Sequence, residues 1–252
     1  MEQKNIIHFN TKIKATDRNK LTRENYCVPS NELDYKTKKN IKNVQEFFER
    51  NNRYPLLVPE CYYTIPNDVF ADNEHYTDQW VERHYKACME NFDLNMNFFN
   101  SLEDAPFQKH LSAFCKKNNF KEIFDLKEIA EKSGVYILVL DKYKQVYIGK
   151  SDNVKKRILR HWSTKKEFSC LLYGRVETSV LSIDSFGALD TTRIFYKSVG
   201  WTDVDKAEGK FVAAVKGDYL LNRAPGGLNA ETDAAMRNLA LFANIKERKL
   251  NK

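Results

Sequence analysis

The chain has no CxxC pair. Its five cysteines, Cys27, Cys61, Cys88, Cys115 and Cys170, are odd in number and far apart. That pattern argues against a disulfide framework or a cysteine zinc site, and for reduced, mostly buried thiols. No apolar run approaches the roughly 20 residues that a membrane span needs. The opening MEQKNIIHFN has no signal-peptide core, so the expected location is cytoplasmic and no membrane partner is expected. Internal repeats and low-complexity tracts are lacking. So is an RNA-binding signature such as an RRM motif. His75 and His84 have no second ligand at a suitable helical spacing, which makes them surface or capping residues rather than metal ligands.

What is present fits a globular protein with a core. Of 252 residues, 42% are hydrophobic and 30% charged, enough for one large or two small domains. The net charge of +7 is uneven. Residues 1–133 carry 20 Lys and Arg against 21 Asp and Glu, whereas residues 134–252 carry 21 against 13. A polyanion such as nucleic acid would meet the second half first.

That half opens with the most informative stretch, SGVYILVLDKYKQVYIGKSDNVKKRILRHW, from Ser133 to Trp162. Two apolar, β-branched runs flank a polar turn at Asp141 to Lys144, which predicts a hairpin. Ser151-Asp152-Asn153 then offers a helix cap. Val154, Ile158 and Trp162 repeat at helical spacing and can face a core. Arg157 and His161 lie one turn apart on another side of the same helix.

This stretch resembles the GIY-YIG nuclease family. Its two tripeptides on adjacent strands are GVY (Gly134 to Tyr136) and YIG (Tyr147 to Gly149), and an arginine and a histidine follow on the next helix at Arg157 and His161. The resemblance covers about residues 131–227. It implies a small mixed α/β catalytic domain in which a tyrosine orients or deprotonates water and Arg157 steadies the phosphate. It also implies a glutamate on a later helix as the protein ligand to a metal, then an asparagine; AEGKFVAAVKGDYLLN supplies Glu208 and Asn222. Many members carry a further polar catalytic residue, often histidine, before that glutamate. No histidine follows His161 here, and Lys165, Lys166, Tyr173 and Arg175 are the candidates to replace it.

Read without the family, Glu208 is a carboxylate on its helix's apolar face, with Phe211, Val212 and Val215 three, four and seven positions on. It needs a partner, either a lysine or arginine or a divalent cation. Two tyrosines in a hairpin are otherwise ordinary sheet packing, and Asn222 alone is a turn residue.

Elsewhere, residues up to Asp34 are expected to be extended or partly disordered. Helices are predicted over Lys36 to Asn51, His75 to Leu102 and Pro106 to Asn118, with a short helical lead over Leu126 to Glu131. Pro55, Pro59 and Pro66 mark an apolar loop. Trp80, Tyr85, Phe92 and Phe98 are candidates for the buried side of the second helix. Arg175 to Ile183 and Thr191 to Val199 read as a second hairpin. A helix from Asp203 or Asp205 to about Val215 ends at Gly217, and Ala234 to Arg248 forms a last amphipathic helix.

The expected fold class is α+β, with a mainly helical accessory region over 1–130, for target choice or dimerisation, and a GIY-YIG-like domain with its C-terminal helix over 131–252. The expected activity is metal-dependent hydrolysis of DNA phosphodiester bonds with Mg²⁺ or Mn²⁺ at Glu208. Tyr136, Tyr147, Arg157, His161, Glu208 and Asn222 form the catalytic set, and Lys150, Lys155, Lys156 and Arg160 are the DNA-binding cations. A binding module of the same fold that cleaves nothing, and an RNA-directed nuclease, are the alternatives.

Overall fold

A computed structural model describes residues 5–27, 77–166, 168, 171–172, 176–177, 179–200 and 202–222. The helices expected at Lys36 to Asn51 and Ala234 to Arg248, the proline-rich loop between residues 55 and 66, and His75 lie outside them. The described chain mixes helix and sheet.

The amino terminus is more ordered than its composition suggests. β1 (Asn5–His8) and β2 (Thr11–Lys14) pair antiparallel. Phe9 and Asn10 both take positive φ, 44° and 54°, the backbone of a two-residue turn whose twist suits a hairpin. A bulky Phe seldom adopts that region. Here it is held by distant contacts: its ring stacks near Trp162, its carbonyl accepts from Leu126 N, and the Asn10 amide donates to Asp125. A short turn of helix, α1 (Arg23–Tyr26), follows, capped by Thr22.

α2 (Asp78–Ser101) begins where the Thr77 hydroxyl accepts from Trp80 N. Trp80, Phe92 and Phe98 are buried as expected, whereas Tyr85 is exposed. His84 is neither a surface nor a capping residue. It is buried, stacks on Trp80 at 4.6 Å and pairs with the Phe168 carbonyl, and burial pushes its pKa down to about 4. α3 (Asp104–Lys117) buries Phe107, Leu111, Phe114 and Cys115.

Behind these lies an antiparallel four-stranded sheet of β3 (Lys121–Ile123), β4 (Gly134–Leu140), β5 (Gln145–Ser151) and β6 (Arg193–Ser198), in the order β3-β6-β4-β5. β3 lies upstream of Glu131 and was not foreseen; with three residues it is too short to show a period. Every residue of β4 is buried, as befits a central strand covered on both faces. Phe107 and Phe114 of α3 meet Ile137 and Val146 on one face. The other face takes α4 (Val154–Ser163), whose Val154 and Ile158 enter the core. α5 (Val204–Ala214) packs against β4 and β5. It stops before Val215, so Gly217 opens a separate 3-10 turn instead of ending the helix.

The second expected hairpin is half right. β6 forms, but residues 179–183 make no strand, for two physical reasons. Both edges of β6 are filled, by β4 and by β3. And the Ser179 carbonyl accepts from the amides of Asn91 and Asn95 on α2, with Val176 O also taken by Asn91. Buried helix amides satisfy the groups that a ladder would have used.

Candidate active site

The hairpin register sets the site. Tyr136 pairs with Gly149, and Leu138 with Tyr147. Residues directly opposite share a face, so both tyrosines lie on one face as diagonal neighbours, with ring centroids 6.3 Å apart. The glycine of the second tripeptide is needed there. A Cβ on Gly149 would come 2.4 Å from the Tyr136 hydroxyl oxygen, because the ring tip crosses over that position.

α4 delivers the next two groups. The Asn153 side chain accepts from Lys156 N at 3.0 Å and fixes the start of the helix. His161 is buried, and its Nε2 lies 2.8 Å from Tyr136 Oη. The Tyr147 ring meets the imidazole edge-on at 5.2 Å. One turn earlier, the half-buried Arg157 guanidinium stands beside both tyrosines. Burial works against its charge, and the two phenol oxygens and Asp184 more than compensate.

Burial also sets the tyrosines' protonation. It raises Tyr136 well above the ordinary phenol value, and neighbouring Tyr147 adds to this against the pull of Arg157. Tyr147 is pushed up to about 12 by burial and by Glu208, again with Arg157 opposing. Both are neutral phenols at neutral pH. Tyr147 is partly exposed, whereas Tyr136 is fully buried.

Glu208 comes from α5 and is 4% exposed. Burial raises its pKa, and Lys150 is the main opposing influence. Its Oε2 lies 3.4 Å from Lys150 Nζ, close enough for charge attraction but not aligned as a hydrogen bond. Lys150 also pairs with Asp205. Among the described residues, no cluster of three or more His, Cys, Asp or Glu could enclose a metal. The buried Oε2 of Glu208 lacks a hydrogen bond, an orphaned acceptor of the kind that a hard cation such as Mg²⁺ would satisfy.

Asn222 is buried and fully engaged. Its Oδ1 accepts from Ile148 N at 2.9 Å and its Nδ2 donates to Ile148 O at 2.7 Å. With the Val146 to Leu220 bridge and the Leu221 N to Val146 O bond, it extends the sheet alongside β5. It thereby ties the chain after α5 to the strand that carries Tyr147 and Gly149.

The four expected DNA-binding cations differ in kind. Lys156 and Arg160 are exposed on α4 and Lys155 is partly so. Lys150 is turned inward onto Asp205 and Glu208.

Asp184 is the site residue that sequence reasoning missed. It sits on a one-turn 3-10 helix, Ile183–Ser185, capped by Ser182. Its Oδ1 lies 2.5 Å from His161 Nδ1. Burial pushes the Asp184 carboxyl up, but His161, Lys166 and Arg157 outweigh it and hold it below the usual range. In sequence it reads only as part of a turn, 23 residues from its partner. Of the replacements considered, Lys166 is near Asp184 and Lys165 donates to Asn25 O. Tyr173 and Arg175 lie outside the described residues.

Comparison with protein-family models, with curated proteins and with solved structures finds no match for the chain.

Proposed function

We propose that the chain is a GIY-YIG-type, metal-dependent endonuclease that hydrolyses DNA phosphodiester bonds. One observation carries this reading: Tyr136, Tyr147, Arg157, His161 and Glu208 come from a hairpin and two separate helices and converge on one cluster. Sheet packing alone does not require a half-buried guanidinium near two phenols, or a buried carboxylate in the same neighbourhood.

The chemistry follows from what each group can do. Arg157 cannot deprotonate and offers a planar fork to phosphate oxygens. Tyr147, the partly exposed phenol, orients the attacking water. As its hydroxyl titrates near 12, it takes a proton only when a nearby cation favours the phenolate. Tyr136, fully buried on His161, positions Arg157 rather than meeting water. Glu208 would hold Mg²⁺ or Mn²⁺, which when bound supplies Lewis-acid stabilisation of the leaving oxygen. Lys155, Lys156 and Arg160 contribute phosphate contacts that bring the backbone to the site without reading sequence.

The test is cleavage of supercoiled plasmid by the full chain with Mg²⁺, with excess EDTA, and with Glu208→Gln. Nicking or linearisation that needs Mg²⁺ and is lost in Glu208→Gln is the expected result. Undiminished cleavage in EDTA or by Glu208→Gln refutes the metal role. DNA binding without cleavage would favour a binding module, and cleavage of RNA alone would redirect the substrate assignment.

A further inference from the structure

The proposed site contains a polar chain whose direction is fixed at its far end. Asp184 is the end member. A carboxylate held in its charged form can only accept hydrogen bonds. With its oxygen 2.5 Å from His161 Nδ1, that nitrogen must carry a proton. In the neutral imidazole the other nitrogen, Nε2, is then an acceptor. Nε2 lies 2.8 Å from Tyr136 Oη, so the phenol donates there. Its oxygen lone pairs are left for the Arg157 guanidinium, which can only donate. Were the proton on Nε2 instead, the imidazole would donate to Tyr136 and compete with Arg157 for the same oxygen.

The members of this chain are mostly buried. His161 and Tyr136 are 3% and 0% exposed. Low dielectric makes such a network costly to leave half satisfied and rigid when complete. The cations around Asp184 are Lys166 and Arg157, and the imidazole is its titratable neighbour.

We propose that Asp184 is a positioning residue for the proposed cleavage reaction: it fixes the His161 tautomer, which aims the Tyr136 hydroxyl and thereby holds Arg157 for the scissile phosphate. This rests on the nuclease reading. Asp184 touches no reacting atom and acts through two intermediaries.

The experiment compares the full-length wild type with Asp184→Asn, Asp184→Glu, His161→Ala and the double variant Asp184→Asn/His161→Ala. Single-turnover cleavage of plasmid with Mg²⁺, DNA affinity, and the ¹⁵N spectrum of the His161 imidazole are measured. Asp184→Asn is near-isosteric at a partly exposed position, so the fold is expected to survive. The rate should fall at least about 10-fold, less than the ~10⁴ seen where a histidine acts directly on a nucleophile. Affinity should change less than about 3-fold, since many cations share the backbone contacts. Asp184→Glu should recover part of the rate. On the His161→Ala background the same substitution should change the rate by less than about 2-fold, because the path is already cut. The wild-type spectrum should show a proton on Nδ1 and none on Nε2. An unchanged rate in Asp184→Asn, an equal loss with and without His161, or a wild-type proton on Nε2 overturns the inference. If the wild type cleaves nothing, it is the nuclease reading that fails, and the imidazole spectrum still decides whether Asp184 directs the chain.

Discussion

Gly149→Ala separates this packing from a generic hairpin, because two effects of known size predict opposite signs. Gly149 has no positive φ; Gly134 is the positive-φ glycine of the described residues. At such a position alanine normally stabilises by about 0.4–1 kcal/mol through the unfolded chain. Here the added carbon would lie 2.4 Å from Tyr136 Oη, 2.5 Å from its Cζ and 2.9 Å from Tyr147 Cε1. Ordinary contact is about 3.5 Å, so the Tyr136 ring tip must retreat by about 1 Å. It has no free path: the side chain is fully buried and hydrogen-bonded to His161. Overpacking of this kind costs about 1–3 kcal/mol, and the broken buried hydrogen bond about 1 kcal/mol more. The steric term wins, and a net loss of about 2–3 kcal/mol corresponds to a melting temperature lower by roughly 5–10 °C in a chain of this size. Thermal unfolding followed by circular dichroism measures it. Tyr136→Leu provides the control, since on that background the crossing ring tip is gone and adding Gly149→Ala should cost less than about 1 kcal/mol. Equal or greater stability of the single variant would refute the placement of Tyr136 over Gly149.

The other expectations use the same contacts. Asn222→Ala leaves the Ile148 N–H and C=O without side-chain partners on a buried strand and should cost about 2–4 kcal/mol in denaturant titration; a loss below about 0.5 kcal/mol would show that the pairing adds nothing. Glu208→Gln should leave the melting temperature equal or higher at neutral pH while removing cleavage. Its folded pKa is raised by burial, so the folded chain binds that proton more readily than the unfolded chain. The carboxylate therefore weakens the fold above that pKa, and the strain eases as pH falls through it. A clear drop in melting temperature at pH 7 would contradict this. Arg157→Lys should lower the saturating single-turnover rate about 100-fold, the order for losing one transition-state donor, whereas Lys156→Ala should act through salt-dependent affinity alone. A near wild-type rate for Arg157→Lys would remove Arg157 from the chemistry.

What could be read in advance was what local geometry fixes. The β4 to β5 hairpin follows from two β-branched runs around a polar turn, and α4 from the Asn153 cap and its apolar repeat. Helix α3 forms where the apolar period predicts it and buries Phe107, Leu111, Phe114 and Cys115. The failures share a cause in distant partners. β1 and β2 alternate over four residues each, and their turn is held by Asp125, Leu126 and Trp162. β3 is a strand because β6 offers it an edge. In sequence Val176, Thr178, Val180 and Ser182 alternate like a strand, yet Asn91 and Asn95 claim the carbonyl of Ser179. His84 follows Trp80 by one helical turn, so the stack lay within reach of its spacing, but the Phe168 carbonyl that completes its burial is 84 residues away.

The site divides along the same line. Tyr136 and Tyr147 are legible from strand register, and Arg157 and His161 from one helical turn, since those separations are set by the backbone itself. Asp184 and the inward turn of Lys150 depend on loops and helices meeting in space, and no spacing encodes them. Glu208 lies between the two cases. Its position on an apolar face announced a buried carboxylate, and two partners were open, a basic side chain or a cation. Lys150 is the basic side chain, but at 3.4 Å it balances charge without making a hydrogen bond to Oε2. It is shared with Asp205, which is more exposed and takes the closer contact. A lysine that serves two carboxylates and completes neither hydrogen-bonding requirement at Glu208 leaves a buried acceptor whose natural complement is another positive ion. The two partners are therefore compatible: the ammonium lowers the cost of keeping Glu208 charged, and the oxygen left without a hydrogen bond would take the proposed divalent cation as its partner.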